Sequence, residues 1–590
     1  MANGCNQNAI GPCSEAEGNN TIANGAASHA EGFLTQANGN ASHAEGEITM
    51  ANGEASHAEG FQTIASADAA HAEGVGNVAS GFASHVEGGG VDPIGNLAPN
   101  LANGFSSHAE GIATIASGFA AHAEGGTTNA TITQGPVASG NFSHAEGVST
   151  QASGIASHAE GDSNTASGRA SHAEGGGPDP TANFAPTLAI GSSSHAEGIG
   201  TTASGFAAHA EGGTANITLN PGPIASGNFS HAEGQSTSAT GPASHAEGRE
   251  TQATDEAAHA EGSDTIASRF AAHAEGFNTI ASGLHSHAEG SFTQATEANS
   301  HAEGSNTQAT EDAAHAEGLN TIADGVAAHA EGANTIADGS QSHVEGLNTS
   351  ASGLQGVHVM GINGAPDVAG GDTSFSWYLM NGPSAYSTAG VVAKILSDGT
   401  ACFDDEVTAA GFNTSAGACD FAEMFETSSG EPIDVGYFVT FEESGEKVRK
   451  ATESDSYILG VTSSNPGVLA DAADPACGKF LLDKWNRKQY EDVVLPAVTD
   501  KEGKILIPER TERRPVINPF WEKEKPCRSR TERPEWVAIG LIGKLLVHDD
   551  GTCKAGGYCM PNNDGIATTS DGGYRVIKRT DVDQILILFR

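Results

Sequence analysis

Small and larger side chains alternate along more than half of the chain. In residues 277–290, FNTIASGLHSHAEG, Thr279, Ala281 and Gly283 fall on one side, followed by Ser286, Ala288 and Gly290. A period of two is a strand signal, whereas a helix needs a period of 3.6 and tolerates Gly poorly. Gly near every seventh position marks a corner that needs positive φ or a close backbone approach. Each 14-mer therefore predicts two short strands and two turns, one coil of a parallel β-solenoid. Inward-facing Ser, Thr and Ala fill only a thin coil with two closely opposed sheets.

The repeat is long and regular. His-Ala-Glu-Gly, with Val for Ala twice, occurs 21 times between His29 and His343. The unbroken step is 14 residues, and four steps are lengthened by 9, 8, 9 and 8 residues. These Pro- and Asn-rich insertions, at 89–103, 126–140, 176–190 and 213–227, must leave the roll as loops. Residues 88–147 and 175–234 are near copies, so a whole block with its loops is duplicated. At about 4.8 Å per layer the repeats predict a rod of roughly 100 Å.

A thin coil buries little apolar area, and burial is worth only about 25 cal/mol per Å². Larger side chains such as Phe33, Phe61, Phe82, Phe105, Phe119, Phe270 and Leu284 are expected to face partner chains. The pattern x-x-T-x-A-S-G-x-x-S-x-A-x-G resembles the head repeats of trimeric autotransporter adhesins over about 26–350. The resemblance implies a left-handed parallel β-roll in which three chains pack side by side. His and Glu stand where that head usually has apolar or varied residues, so the architecture carries over and the ligand does not.

Charge and composition divide the chain near residue 350. Residues 1–350 carry 38 acidic side chains and only three basic ones, Arg169, Arg249 and Arg269; the whole chain has a formal charge of −46. Such a surface repels nucleic acid and anionic membranes. Hydrophobic residues make up 37% and aromatics 6%, which argues against one large aromatic core. No apolar run is long enough for a transmembrane helix, and the N-terminus lacks the basic and apolar regions of a signal peptide. The eight Cys, none between 14 and 401, are expected first as thiols, with late disulfides as the alternative once the particle leaves the cell. The expected organisation is an N-terminal cap (1–25), the rod (26–350), a neck (351–410) and a β-rich C-terminal domain (411–590). A basic, charged excursion at 484–533 is expected as a solvated loop.

The stretch GACDFAEMFE (417–426) and the later IGLIGKLLVHDDGTCKAGGYC resemble the intramolecular-chaperone auto-cleavage peptidase domain of phage tail appendages and spikes. The resemblance implies a domain that trimerises, guides folding of the rod and then cuts itself off, here between Cys419 and Asp420. A carboxylate activates water against that bond while a second carboxyl protonates the leaving amine. Asp420 and Glu423 are the candidates, since neighbouring carboxylates split their pKa values. Alternatively the Cys419 thiol attacks the preceding carbonyl, cutting at Ala418–Cys419. The purely structural alternative makes Cys419 a small buried residue, with Glu423 and Glu426 as surface charges on a short helix.

The expected product is an all-β, homotrimeric fibre of phage-tail or cell-surface type that attaches to a host glycan or protein receptor. It is made in the cytoplasm and placed on a virion or outside the cell, with no nucleic-acid partner and no membrane insertion. Its only enzyme activity is one self-cleavage. A bacterial adhesin or spore-surface fibre is the alternative, and a polysaccharide depolymerase the third reading. The four inserted loops are the candidate receptor contacts. His and Glu at i and i+2 share one side of a strand, so stacking creates parallel imidazole and carboxylate ladders. Such a ladder reads first as a hydrogen-bonded register device and second as a metal array. Its regularity favours the first, so neither a metal nor a cofactor is expected.

Overall fold

The computed structural model describes residues 6–404, 420–443, 445–472, 480–495, 498–499, 505–507, 510–519 and 528–590. They form two compact units, 1–368 with 372–404, and 369–371 with 405–590. Among the described residues no helix is long and apolar enough to cross a membrane.

The first unit is a parallel β-solenoid. One ladder stacks the His-Ala strands, as in His273↔His287 and Ala274↔Ala288. The other stacks the second strand of each coil, as in Ile266↔Ile280 and Ala267↔Ala281. The core between them is almost wholly Ala, Ser and Thr; Thr279, Ala281, Ser286 and Ala288 are all buried. Ser286 Oγ donates to the Gly283 carbonyl at 2.8 Å, so the inward hydroxyl closes the corner it sits on. Gly290 has φ +109°, and a Cβ there would overlap the Gly304 carbonyl of the next coil. Gly283 has no positive φ and is required for close approach alone, its Cβ overlapping Glu297. Non-glycines two positions after these glycines also take positive φ, such as His285 (φ 54°) and Phe292 (φ 57°).

The coil extends past both expected ends of the repeat. Glu15–Asn19 pairs with His29–Phe33, with Glu15 in the His position, so residues expected as a cap already follow the coil. At the other end His358 pairs with His343, and strand His358–Gly364 continues to Trp377–Asn381. An antiparallel hairpin of Val391–Ile395 and Ala401–Phe403 then closes the unit.

The inserted loops leave the roll but do not hang free. Asp92 is buried, and its carboxylate accepts from the Ile94, Asn96 and Ala130 amides and from Asn96 Nδ2. It thus ties the 89–103 loop to the 126–140 loop. Asp179 does the same in the duplicate, reaching the Ile217 amide at 2.9 Å. Ile94, Leu97, Ile132, Phe184 and Leu219 stand exposed on these paired loops.

The second unit is a mostly antiparallel sheet. Its order runs Val448–Lys450, Phe438–Phe441, Gly460–Thr462, Trp536–His548, Gln584–Phe589, Tyr574–Asp581, Tyr558–Pro561, Ala567–Ser570. Phe438, Val461, Leu545, Val547, Ile585 and Ile587 form its core. The charged excursion differs from the expected loop. Tyr490–Leu495 and Arg510–Pro515 form an antiparallel hairpin that sets Asp492 opposite Arg513. Cross-strand opposite charges support such pairing, which a count of charges alone does not reveal.

Candidate functional site

Two places gather chemistry. The first is the start of the second unit. Asp420–Glu426 is a strand, not the short helix of the structural alternative, and it pairs antiparallel with the 13-residue strand Trp536–His548. Alternation puts Asp420, Ala422 and Met424, all buried, on one face, with Phe421 and Glu423 on the other. On its other edge the strand pairs in parallel with Val468–Ala470, and the Gly467 amide donates to the Asp420 carbonyl at 2.8 Å.

The long strand makes this placement. Its Trp536–Gly543 part pairs with Asp420–Glu426, and its Gly543–His548 part pairs with Gln584–Phe589. Asp420 lies opposite Gly543, where the long strand changes partner, next to a register shift between Phe421 and Ala422. A Cβ at Gly540 would overlap Leu545 and come within 2.8 Å of Asp420 Oδ2. Asp420 lines a cavity of about 150 Å³ with Thr462, Ser463, Lys544, His548 and Gln584 among its walls. Thr462 Oγ1 is fixed there, accepting from the Tyr437 amide and donating to the Asp434 carbonyl.

Asp420 and Glu423, three apart in a strand, therefore face opposite ways, and one chain does not bring both to one cavity. Glu426 is held by Lys447 at 2.6 Å. Cys419, the other half of the expected cleavage bond, lies outside the described residues. Cys553 and Cys559 are buried, and burial raises both thiols, Cys559 to about 12, which leaves them poor nucleophiles. The cavity walls contributed by Lys544, His548 and Gln584 escaped the sequence reading, because they come from strands more than a hundred residues downstream.

The second place is the ladder. Consecutive imidazoles from His29 to His358 stack with centroids 4.5 to 4.9 Å apart and planes within 20°. His358, which the sequence reading missed, ends the stack against the edge of Trp377 at 5.1 Å. Its spacing of 15 and the Met360 in the Glu position hide it from the repeat. Apart from His85, each Nε2 lies within 4.0 Å of a carboxylate of its own or the preceding coil. His144 Nε2 is 3.5 Å from both Glu124 and Glu146, and His57 lies 4.0 and 3.7 Å from Glu45 and Glu59.

Comparison with known proteins bears on the first place. Residues 376–583 match the family model described as Peptidase_G2, IMC autoproteolytic cleavage domain. The match begins upstream of residue 411, within the end of the first unit. The chain is 37% identical over 165 residues to the pre-neck appendage protein of Bacillus phage B103, covering 27% of this chain and 17% of that one. It is 33% identical over 172 residues to the preneck appendage protein of Bacillus phage PZA, covering 29% and 18%. The chain thus spans less than a fifth of the length of these relatives. The solved C-terminal fragment of bacteriophage phi29 gene product 12 is 30% identical, covers 29% of this chain and all of its own, and superposes with a TM-score of 0.24. Over part of its length the chain is homologous to phage pre-neck appendage proteins, and its residues 376–583 match an autoproteolytic cleavage domain.

Proposed function

We propose that the chain is a phage tail appendage whose solenoid rod is assembled as a homotrimer by its C-terminal domain, which then releases itself by cutting between Cys419 and Asp420. The observation that carries this reading is the autoproteolytic match at 376–583 on a chain whose preceding residues form a long parallel β-solenoid. Exposed rows such as Phe82, Phe105 and Phe119 support lateral packing of three rolls in the manner of the adhesin heads they resemble. The paired loops, with Ile94, Leu97 and Ile132 outward, are the receptor contacts, and threefold display multiplies weak contacts with a host-surface glycan or protein. The product belongs on the virion.

In the reaction, a water that loses its proton to a carboxylate adds to the Cys419 carbonyl. The bond to the Asp420 nitrogen breaks, and that nitrogen leaves as an amine carrying a proton from a second acid. Asp420, at the bond and lining the cavity, is the first carboxyl. His548 on the cavity wall is the second acid within one chain, and Glu423, which faces the other way, takes that role only when a neighbouring copy of the trimer supplies it.

Intact mass and denaturing gels of the purified protein, with Asp420→Asn, Glu423→Gln and His548→Gln variants, test the reading. The wild type is expected as two chains, 1–419 and 420–590, and Asp420→Asn as one. A single uncut wild-type chain, or Asp420→Asn that cuts like wild type, overturns the self-cleavage. A cut at Ala418–Cys419 assigns the step to the Cys419 thiol instead. If Glu423→Gln cuts normally and His548→Gln does not, the second acid is His548. Light scattering of a folded single copy in dilute solution overturns the trimer.

A further inference from the structure

The ladder has a property that a hydrogen-bonded register device does not need. Among the described residues, the Nε2 atoms of most ladder histidines, including His43, His57, His71, His144, His273 and His301, are shielded from solvent and make no hydrogen bond. Yet, His85 apart, each looks at carboxylate oxygens 3.4 to 4.0 Å away. That gap is too long for a hydrogen bond, which needs about 2.7–3.2 Å. The shorter gaps match two ligands of one tetrahedral ion, since bonds of about 2.0–2.2 Å at the tetrahedral angle hold their donors about 3.4 Å apart, and the longer ones need a closure of about 0.5 Å around the ion. The rings cannot simply close the gap, because each is stacked between neighbours at strand spacing. Only where a loop insertion separates the coils do the groups meet directly, at 3.2 Å in His108–Glu87 and 3.3 Å in His195–Glu174.

We propose that the His–Glu ladder is a linear array of divalent transition-metal sites of the Zn²⁺ class. Each ion takes one imidazole Nε2 and carboxylate oxygens from two adjacent coils, as at His144 with Glu124 and Glu146. The donors also gather as two imidazoles and one carboxylate, as in His122, Glu124 and His144, with ligand atoms within 4.8 Å of one another, and such groups recur along the ladder. Imidazole selects Zn²⁺, Ni²⁺, Co²⁺ or Cu²⁺ over Mg²⁺ and Ca²⁺. Charge sets the occupancy. Each complete coil brings one Glu, so one dication per two coils is neutral, and filling every coil would put ions about 4.8 Å apart with net repulsion. The ladder then holds about ten ions, crosslinks neighbouring coils and neutralises a strip of an otherwise acidic rod.

The test is Zn²⁺ stoichiometry of the full-length protein, stripped by chelator, with thiols alkylated and a large excess of Mg²⁺ present to occupy generic carboxylates. Only His285 and His548 of the 24 histidines lie outside the stack, so binding beyond two ions with imidazole ligation must come from it. The expected result is about ten ions per chain, with Zn X-ray absorption showing imidazole and oxygen neighbours at about 2.0–2.1 Å. The triple variant His287→Gln, His301→Gln, His315→Gln is expected to lose one or two ions while its circular dichroism is unchanged. A stoichiometry of two or fewer, an absorption spectrum without imidazole, or a folded triple variant that binds as many ions as wild type overturns the proposal. The wild-type measurements decide it even if the variant does not fold.

Discussion

Asp420 is confined from three sides. Its backbone is fixed between two strands, its carboxylate lies under the bare Cα of Gly540, and Leu545 closes the flank. Gly540→Ala puts a methyl into Leu545 and against the carboxylate. Overpacking of this kind costs about 1–3 kcal/mol, so the urea midpoint of the C-terminal unit is expected to fall and cleavage to slow. Unchanged values for both would mean that the site relaxes freely. Asp92 is a second confined carboxylate. Burial pushes its pKa up, but the Asn96 side chain and three amides outweigh that and hold it well below the usual carboxylate range. Asp92→Ala leaves those amides without their acceptor. Limited proteolysis is expected to nick 89–103 and 126–140 several-fold faster, while the matched loops at Asp179 stay intact as an internal control.

At the scale of one coil, the sequence was legible because its chemistry is periodic. Thr279, Ala281, Ser286 and Ala288 were readable as inward from alternation alone, and they are buried. What alternation does not carry is the corner. His285 and Phe292 adopt positive φ because the next coil fixes the path, not because their side chains prefer it. Nor does it carry the last coil, where an extra residue breaks the spacing that identifies His358. Stacking also sets the pH response of the ladder. Burial first, then the adjacent imidazoles, lower the pKa of His43, His71, His122, His158, His259 and His315, with His71 reaching about 4. A histidine whose folded pKa lies below the unfolded value of about 6.5 binds fewer protons when folded, so stability falls as pH drops through that window. Glu73 and Glu110, raised to about 7 chiefly by hydrogen bonding to neighbouring carboxylates, act in the opposite sense. Glu59, Glu87 and Glu124 are lowered in exchange, chiefly by hydrogen bonding to carboxylates of the same ladder, and act in the same sense as the histidines. In chelator, the rod is expected to melt several degrees lower at pH 5 than at pH 8, and coincident melts would show that the imidazoles gain carboxylate partners as they charge.

Across the whole chain, the two kinds of sequence impose different folding problems. The solenoid pairs each coil with its neighbour in sequence, as in His273↔His287, so coil stacking itself is local. The register of three such rods is not local, because a slip of one coil leaves almost every side chain in an equivalent position. A repeat of 14 residues offers many such slips, and non-local pairing is slow and prone to misassembly. The C-terminal sheet has no repeat and hence one register, which is what a nucleus for assembly needs. The site was only half legible for a related reason. The Asp420 motif is local and readable, whereas the cavity around it is assembled from Thr462, Lys544 and His548, which converge only in the folded sheet. If the domain sets register and then leaves, the cut product is held by its unfolding barrier rather than by equilibrium. After complete denaturation and dilution, the uncut Asp420→Asn protein is therefore expected to regain its rod, measured by circular dichroism and light scattering. The cut 1–419 chain is expected to aggregate or stay unfolded. Equal recovery of the two would assign the C-terminal domain no part in assembling the rod.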